Sequence, residues 1–341
     1  MRRTLQGMTL ILTQAEVRSL LPMDTCMDLV AQGLVTLARD QALNPLRSAL
    51  LMPDDSGLLG WMPGFVSEPA ALGVKVVGVF GANHGTVLDS HQGFVALFDV
   101  TTGVPTAIVE GSEITAIRTA AASGVATRLL ARADASDLAI IGSGVQARTH
   151  LEAMIHARPI SRVRVFSSTE ANRRAFAERE SDRHGLQVEA VDSARAAVDG
   201  AHIICTVTSS SQPVVMGEWL ADGVHINAAG SSIAEARELD TEAVTRARLF
   251  VDRRESTVNE GGDYLTPLAE GAISEAHILG EIGELLLGTV EGRRSEREIT
   301  LFKSLGLAVE DLVSAEFVAR RAREQGVGIE VDLTGRKGDL G

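Results

Sequence analysis

The stretch that most constrains the fold is "DLAIIGSGVQARTHL", from Asp137 to Leu151. A short apolar run, Leu138–Ile141, predicts a buried strand that leads directly into "GSGVQA" and then into a helical sequence. In this GxGxxA pattern the first glycine permits a tight turn, the second lets the backbone approach a pyrophosphate, and the alanine lets the helix pack closely on the strand. The free N–H groups at the start of the helix favour phosphate. The predicted contacts to a dinucleotide are Gly142, Ser143, Gly144, Val145 and Gln146.

Strand-like and helical stretches alternate after this point, as in "RVRVFSS", "EANRRAFAERESDRHG", "AHIICTVTS" and "VHINAAG". Such alternation predicts βαβ units, a parallel sheet and therefore an α/β Rossmann domain. Before it, short β-branched runs from about Arg47 to Glu110 predict a β-rich region. An alanine-rich helix follows, with Ser112 as its expected N-cap. The polar, glycine-rich stretch 334–341 is expected to be a flexible tail.

The strand "RVRVFSST" bears on which dinucleotide is bound. It ends without an acid that could hold the ribose of NAD, and Arg173 and Arg174 follow within a helical turn. Hydroxyls and arginines suit a 2′-phosphate, so we predict NADP, with NAD as the alternative. The competing interpretation is that both arginines lie on a solvated helix surface, and Glu170 could also serve a ribose. The remaining residues assigned to the cofactor are Ser167, Ser168, Thr169, Thr206, Val207, Ala229, Gly230 and Thr119.

Composition excludes several classes of partner. The net charge of −13 argues against nucleic acid, because phosphate binding needs a basic face. The two cysteines, Cys26 and Cys205, form no CxxC pair, so neither a disulfide framework nor a metal site is predicted. No apolar run reaches the roughly 18 residues that a membrane span needs, and no signal peptide is recognised. We therefore expect a cytoplasmic protein that acts on a small molecule.

Several sequence blocks together resemble the ornithine cyclodeaminase/mu-crystallin family, over about Thr9 to Leu333. They are "NPLRSALLMP", "GWMPGF", "LGVKVVGVF", "DSHQGFVALFDVTTGVPTAIVEGSEITAIRTAAASGVATRLLA", "IIGSGVQARTHLEA", "INAAG…REL" and "TLFKSLGLAVEDL". The resemblance implies a β-rich α+β substrate and dimerisation domain formed by residues 1–118 plus 309–333. It implies a Rossmann domain, 119–308, inserted between these segments, with the active site in the cleft. It also implies a homodimer.

Three basic residues stand in apolar surroundings and could bind the carboxylate of an amino or imino acid. Lys75 interrupts the buried run "LGVKVVGVF", which is costly unless the lysine is paired; an edge lysine facing water is the alternative. Arg118 is the single charge in "ITAIRTAAAS", and its alternative role is a structural ion pair. Arg47 in "NPLRSA" would by itself be interpreted as solvated. The resemblance implies that all three surround the substrate carboxylate, where a guanidinium can bind in bidentate fashion.

Ser232 in "INAAGSSIAEAREL" separates the possible activities. The resemblance implies an aspartate here in ornithine cyclodeaminases, where it holds the substrate amines, and a serine in mu-crystallin-like ketimine reductases. A cyclodeaminase must orient a second ammonium, a task that suits a carboxylate and not a hydroxyl, whereas a serine can orient an imine nitrogen.

Four further polar residues have less distinctive surroundings. His91 in "DSHQGF" could relay a proton, although a single histidine is more often structural, as we expect for His84 and His225. Asp263 in "NEGGDYL" either flanks the cofactor or forms an Asx-turn.

The predicted function is an NAD(P)H-dependent reductase of small 2-imino acids, of the ketimine reductase or L-amino-acid dehydrogenase type. Arg47 and Arg118 would clamp the carboxylate, and Ser232 would orient the nitrogen. Lys75 would join the clamp or donate a proton, the latter if burial and the arginines lower its pKa. One alternative is an ornithine-type cyclodeaminase that retains NAD and releases ammonia. Another is a binding protein without catalytic activity.

Overall fold

The computed structural model of the chain describes residues 7–83 and 85–337. Backbone packing divides these residues into two compact units. One unit runs to Arg118 and resumes at Leu307, and the other is Thr119–Gly306. His84 and residues 338–341 of the expected tail lie outside the described residues.

Sixteen strands occur among the described residues. In chain order they are β1 (Met8–Leu12), β2 (Ala42–Leu43), β3 (Ser48–Leu51), β4 (Gly57–Ser67), β5 (Ala70–Phe80), β6 (His91–Phe98), β7 (Pro105–Glu110), β8 (Asp137–Ile141), β9 (Arg162–Phe166), β10 (Val188–Ala190), β11 (Ile203–Thr206), β12 (His225–Ala228), β13 (Ala247–Val251), β14 (Ile278–Glu281), β15 (Ile299–Lys303) and β16 (Ile329–Asp332).

Eleven α-helices connect or cover these strands in the described part of the chain. They are α1 (Gln14–Leu20), α2 (Met23–Ala38), α3 (Gly111–Leu130), α4 (Val145–Ala157), α5 (Glu170–His184), α6 (Ala194–Val198), α7 (Thr241–Arg246), α8 (Arg254–Glu260), α9 (Gly262–Ala269), α10 (Ile282–Leu287) and α11 (Ala308–Gln325). Short 3-10 turns lie at Gly81–Asn83, Gly217–Trp219 and Glu275–His277.

The first unit is built on a mixed sheet with the strand order β16-β1-β7-β6-β5-β4-β2, and β3 pairs with β4. β4 and β5 are antiparallel along their whole length, from Gly57 opposite Phe80 to Ser67 opposite Ala70. Helix α11 packs on β4, β5 and β6. This packing needs small residues in the sheet, because a Cβ atom at Gly73 would lie 2.8 Å from Leu312 Cδ2.

The second unit contains an all-parallel sheet with the order β10-β9-β8-β11-β12-β15-β13-β14. Its first five strands follow the 3-2-1-4-5 order of the Rossmann fold when β8 is counted as the first strand. The last strand of this unit in the chain, β15, inserts between β12 and β13. Ile204, Ile226 and Leu301 from three adjacent strands belong to one buried apolar cluster. The predicted α/β fold with a Rossmann domain is therefore confirmed.

The start of α3 differs from the prediction. The carboxylate of Glu110, and not the hydroxyl of Ser112, accepts the first free N–H groups, those of Ser112 at 2.8 Å and Glu113 at 3.0 Å. Ser112 Oγ instead donates to the carbonyl of His91. The expected N-cap was wrong because β7 runs directly into α3 and brings Glu110 to the open end of the helix.

Candidate active site

Lys75 lies inside the first unit. On β5 it is paired with Met62 of β4 and Val95 of β6, so it is in an interior strand and not at an edge. Its side chain is only 4% exposed. The amine Nζ donates to Asp311 Oδ1 at 3.3 Å, which provides the partner that a buried ammonium requires. The alternative of an edge lysine facing water is therefore wrong.

Arg118 on α3 is buried beside the same carboxylate. Its Nε donates to Asp311 Oδ1 at 2.9 Å, and its Nη1 donates to Glu310 Oε2 at 2.8 Å. Burial acts to lower the pKa of Arg118, but the two carboxylates outweigh this effect and hold the pKa above its ordinary value. The guanidinium is therefore a permanent cation in a buried ion pair, as its alternative role required, and its contact with a substrate carboxylate stays a prediction.

Burial has the opposite net effect on Lys75. Burial lowers the pKa of the amine, Asp311 partly opposes this and Arg118 adds to it, so that the resulting pKa is about 8. An amine with this pKa exists in both protonation states near neutral pH, which a general acid or base needs. Lys75 can therefore exchange a proton where an arginine cannot.

Arg47 and His91 occupy different positions relative to this cluster. Arg47 is half-buried and immediately precedes β3, whose Ser48 is paired with Trp61. Continued by one residue, this register would place Arg47 opposite Met62, which is the strand partner of Lys75. His91 is exposed at the start of β6, four residues from the partner of Lys75 and hence about 13 Å along the strand. His91 therefore lies away from Lys75, and the role of Arg47 toward the substrate stays a prediction.

The sequence interpretation missed the two acids of this cluster, Glu310 and Asp311. Both are fully buried in the first turn of α11. They stand together in the apolar stretch "GLAVEDLVSA". A search for the partner that a buried Lys75 must have would have singled out this pair, since adjacent acids in an apolar helix rarely remain unpaired.

The predicted dinucleotide turn has the expected backbone. Gly142 adopts a φ of +122°, and a Cβ atom there would lie 2.7 Å from the carbonyl oxygen of Val207. Gly144 is the N-cap of α4 and has open space where a Cβ atom would be, and the helix begins at Val145. The first N–H groups of a helix have no partner within it. The turn therefore fits a pyrophosphate, which would rest on Gly144 and the start of α4.

Most of the other residues assigned to the cofactor lie at the same edge of the sheet, because the carboxyl ends of adjacent parallel strands meet there. These residues are Ser167, Ser168 and Thr169 after β9, Thr206 and Val207 at the end of β11, and Ala229 and Gly230 after β12. Ser143 Oγ donates to Ser167 Oγ at 2.9 Å and so links the ends of β8 and β9. Thr119 stands apart from this group, buried on α3.

The end of β9 holds one of the two arginines considered for NADP. The guanidinium of Arg173 lies over the ring of Phe166 and donates to the carbonyl of Ser167. It also pairs with Asp192 at 3.0 Å, a carboxylate whose side chain is 94% exposed. Asp192 follows β10, so a search limited to the end of β9 missed it. Arg174 pairs with Glu170 on the exposed surface of α5, as the competing interpretation proposed.

The loop that carries Ser231 and Ser232 is held by a second buried lysine, Lys303 of β15. Its Nζ donates to the carbonyl of Ser231 at 2.5 Å and pairs with Asp263 Oδ2 at 2.8 Å. Asp263 Oδ1 accepts the N–H groups of Glu238 and Leu239, more than twenty residues away, so the Asx-turn alternative is wrong. Ser232 is half-buried in this loop.

Glu238 joins the ends of β11 and β12. Its carboxylate accepts the hydroxyl of Thr206 and the N–H groups of Thr208 and Gly230, each at 2.7–2.8 Å. Burial raises the pKa of Glu238, and the charge of Asp263 adds to this effect. The hydroxyl of Thr206 therefore points to Glu238, and a cofactor contact from Thr206 remains a prediction.

Metal centres and membrane-spanning helices are two further kinds of feature that residues 7–83 and 85–337 could contain. No cluster of histidine, cysteine and acidic side chains there has an arrangement that could hold a metal ion. No single helix in that part of the chain is both long and apolar enough to cross a membrane. The bent pair of α1 and α2, with an angle of 86° between them, meets the length and hydropathy criteria when taken together.

Known proteins resemble the chain over almost its whole length. The ornithine cyclodeaminase/mu-crystallin family model matches residues 8–326. The Delta(1)-pyrroline-2-carboxylate reductase of one Bacillus cereus strain is 37% identical over 325 residues, which cover 95% of this chain and 100% of that protein. The ketimine reductase mu-crystallin of Mus musculus is 39% identical over 276 residues, 81% of this chain and 84% of that protein.

A solved structure agrees with these two relatives. Delta(1)-pyrroline-2-carboxylate reductase of Thermococcus litoralis, in complex with NADH and L-proline, superposes with a TM-score of 0.93 at 40% identity. The match covers 95% of this chain and 100% of that one. The resemblance inferred from the sequence blocks is therefore confirmed, and the chain belongs to the ornithine cyclodeaminase/mu-crystallin family.

Proposed function

We propose that the chain is an NAD(P)H-dependent reductase of small 2-imino acids, which can also run in reverse as an L-amino-acid dehydrogenase. The observation that carries this proposal is the buried amine of Lys75, whose pKa of about 8 suits proton transfer near neutral pH. The glycine turn before α4 adds a site that fits a dinucleotide. The relatives described above reduce Delta(1)-pyrroline-2-carboxylate and ketimines, so cyclic 2-imino acids are the first substrates to test.

In the proposed reaction the C=N double bond gains one hydride at carbon and one proton at nitrogen. The bound reduced dinucleotide supplies the hydride. Arg47 and Arg118 bind the substrate carboxylate and so fix the orientation of the imine carbon. Lys75 donates the proton to nitrogen and becomes a neutral amine, and Ser232 orients that nitrogen. In the reverse direction neutral Lys75 removes the proton.

The test is a screen for NADH and NADPH oxidation with purified protein. The substrates are pyrroline-2-carboxylate, piperideine-2-carboxylate, and pyruvate with ammonia or methylamine. We expect turnover of at least one imine, with the rate of reduction falling as the pH rises above about 8 because Lys75 loses its proton. Absence of turnover with every imine, in a protein that binds the dinucleotide, would contradict the proposal.

A cyclodeaminase activity is the second candidate, because the chain belongs to a family named for it. The neutral side chain of Ser232 disfavours this candidate, since a hydroxyl cannot neutralise the distal ammonium of ornithine. We expect no ammonia release from ornithine by the natural protein. Ammonia release without net oxidation of the dinucleotide would exclude the reductase as the main activity. Ser232→Asp tests whether a carboxylate at this position introduces the activity.

We propose that the 2′-phosphate of NADP would be bound by Arg173 with the hydroxyls of Ser167 and Ser168. The buried guanidinium beside the carbonyl of Ser167 supports this, although Asp192 competes for the same cation. We expect Arg173→Ala to weaken NADPH binding more than NADH binding and Asp192→Ala to do the reverse. Equal effects of either variant on both dinucleotides would show that this arginine does not select the cofactor.

We also propose that the protein forms a homodimer through the outer face of the β4–β5–β6 sheet. Trp61 pairs with Val76 and Val76 with Phe94, so all three share this face, and Trp61 and Phe94 are exposed there. Exposed aromatic side chains on one sheet face are typical of an interaction surface. We expect a dimer by light scattering and a monomer for Trp61→Glu. A monomeric natural protein would contradict this proposal.

A further inference from the structure

We propose that Asp311 is a positioning residue of the reductase proposed above, because one of its oxygen atoms holds the amine of Lys75 and the guanidinium of Arg118 side by side. The inference rests on that function for its catalytic meaning. Its structural basis is independent, since both contacts lie within the first unit.

The geometry distinguishes Asp311 from its neighbour Glu310. Asp311 Oδ1 accepts Arg118 Nε at 2.9 Å and Lys75 Nζ at 3.3 Å. Glu310 accepts Arg118 Nη1 at 2.8 Å. Both acids are fully buried on the same helix turn and both bind Arg118, and Asp311 in addition binds the amine of Lys75. Glu310 is therefore a matched control for Asp311.

The lysine at position 75 provides a cation that can lose its proton. Of the 32 lysine and arginine residues in the chain, only Lys75, Lys303 and Lys337 are lysines. Most other ion pairs of the described residues use arginine, also at buried positions such as Arg118 and Arg164, although Lys303 pairs with Asp263. An arginine keeps its proton at any accessible pH, whereas a buried lysine can lose it. A neighbouring carboxylate that binds such a lysine therefore also influences the pH at which the amine loses its proton.

The charged groups that face Lys75 come from two helices: Asp311 and Glu310 from α11, and Arg118 from α3. Burial and Arg118 favour the neutral amine, while Asp311, and more weakly Glu310, favour the ammonium. Of the two acids, Asp311 raises the pKa of Lys75 more strongly and so opposes burial and Arg118 the most. Without its charge the pKa of Lys75 would be lower, and no shared oxygen atom would hold the amine and the guanidinium side by side.

The test is NMR of the full-length protein labelled with ¹³C at lysine Cε, which gives at most three lysine signals to follow through a pH titration. The signal of Lys75 is assigned by its absence from Lys75→Met. We expect a midpoint near 8 in the natural protein. In Asp311→Asn the midpoint should be lower by about 1–3 units, the usual effect of removing an opposite charge at this distance. Glu310→Gln should cause a smaller shift.

Kinetics provide the second measurement. In Asp311→Asn the decline of imine reduction with rising pH should move downward by the same amount as the NMR midpoint. Asp311→Glu keeps the charge but displaces it, so it should retain a midpoint near that of the natural protein while kcat falls. Circular dichroism with urea unfolding shows whether each variant is folded.

Two results would overturn the inference. One is an unchanged Lys75 midpoint in folded Asp311→Asn, and the other is an equal shift in Asp311→Asn and Glu310→Gln. If Asp311→Asn does not fold, a titration of Asp311→Glu decides, since a midpoint displaced by more than a unit despite the retained charge would contradict the proposed role. The NMR titration needs no turnover. Failure of the proposed function would therefore appear as an inactive natural protein, whatever the titration shows.

Discussion

The two buried lysines, one in each unit, are held in different ways. Lys303 donates to a backbone carbonyl at 2.5 Å and pairs with Asp263 at 2.8 Å. Lys75 donates to Asp311 at 3.3 Å, and that oxygen also accepts a shorter bond from Arg118. The amine of Lys303 is bound closely by two groups, whereas that of Lys75 shares its acceptor with a competing cation.

From this difference we infer a structural role for Lys303 and, for Lys75, the chemical role proposed above. The two short contacts of Lys303 fasten the loop after β12 to Asp263 of α9. Burial lowers the proton affinity of Lys75, and its single long contact with Asp311 offsets this only in part beside Arg118, which leaves a pKa of about 8. We therefore expect substitutions of Lys75 to affect turnover and substitutions of Lys303 to affect stability.

The largest expected effect is that of Lys75→Met on imine reduction. Removal of a general acid reduces the rate by about 10²–10⁴-fold, and we expect a loss of kcat/KM in this range without a change in dinucleotide binding. Lys75→Arg sharpens the test, because it keeps the charge but cannot release a proton. Activity within a few-fold of normal in Lys75→Arg would show that the cation, and not its proton, is what matters.

Lys303→Met should mainly destabilise the fold. The change leaves Asp263 buried without its cation, and breaking a buried pair in this way costs about 3–5 kcal/mol. Urea unfolding monitored by circular dichroism measures the free energy of unfolding. Lys337→Met, at an exposed position, is the control and should change that free energy by less than about 0.5 kcal/mol. A loss of kcat in Lys303→Met at unchanged stability would contradict the structural role inferred for Lys303.

A smaller effect is expected on the stability of the fold at acidic pH. There the groups that titrate are two buried histidines of the second unit, and not Lys75. Burial lowers the pKa of His150 to about 4 and that of His225 to about 3. Both rings are neutral when folded, so below about pH 6.5 the unfolded chain binds more protons and stability falls as the pH falls. At about pH 5 the loss is about 2 kcal/mol for each histidine.

Urea unfolding at neutral pH and at about pH 5 measures this loss. His150→Gln should remove about half of it, because one of the two neutral rings is then absent. The exposed His156 is the control, and His156→Gln should leave the difference between the two pH values unchanged. A natural protein that is equally stable at both pH values would show that the buried histidines do not govern acid sensitivity.

Local patterns predicted much of this molecule. The turn at Gly142 and Gly144 is recognisable because steric demands on a few consecutive residues determine it. The burial of Lys75 is likewise visible in a continuous apolar run. The partners of these residues were not predictable in the same way. Asp311 lies more than two hundred residues from Lys75, and Asp263 lies about forty residues from Lys303. Asp192 reaches Arg173 from the segment after β10.

The error at Ser112 has a similar origin. The N-cap was expected inside the helical stretch. The carboxylate that accepts the first free N–H groups of α3 belongs instead to Glu110, the last residue of β7. Ion pairs and caps depend on which chain segments meet, and a single sequence gives no direct information about such meetings. A systematic search for the acid that a buried base requires would have recovered Asp311.

The scarcity of lysine also determines how the protein can be attached to a surface. Lys337 is exposed near the end of the described chain, whereas the amines of Lys75 and Lys303 are buried. Reagents that acylate lysine side chains should therefore react at Lys337 and leave the other two unmodified while the fold persists. Immobilisation through that side chain would tether the enzyme by the segment around Lys337 and leave the buried amine of Lys75 untouched.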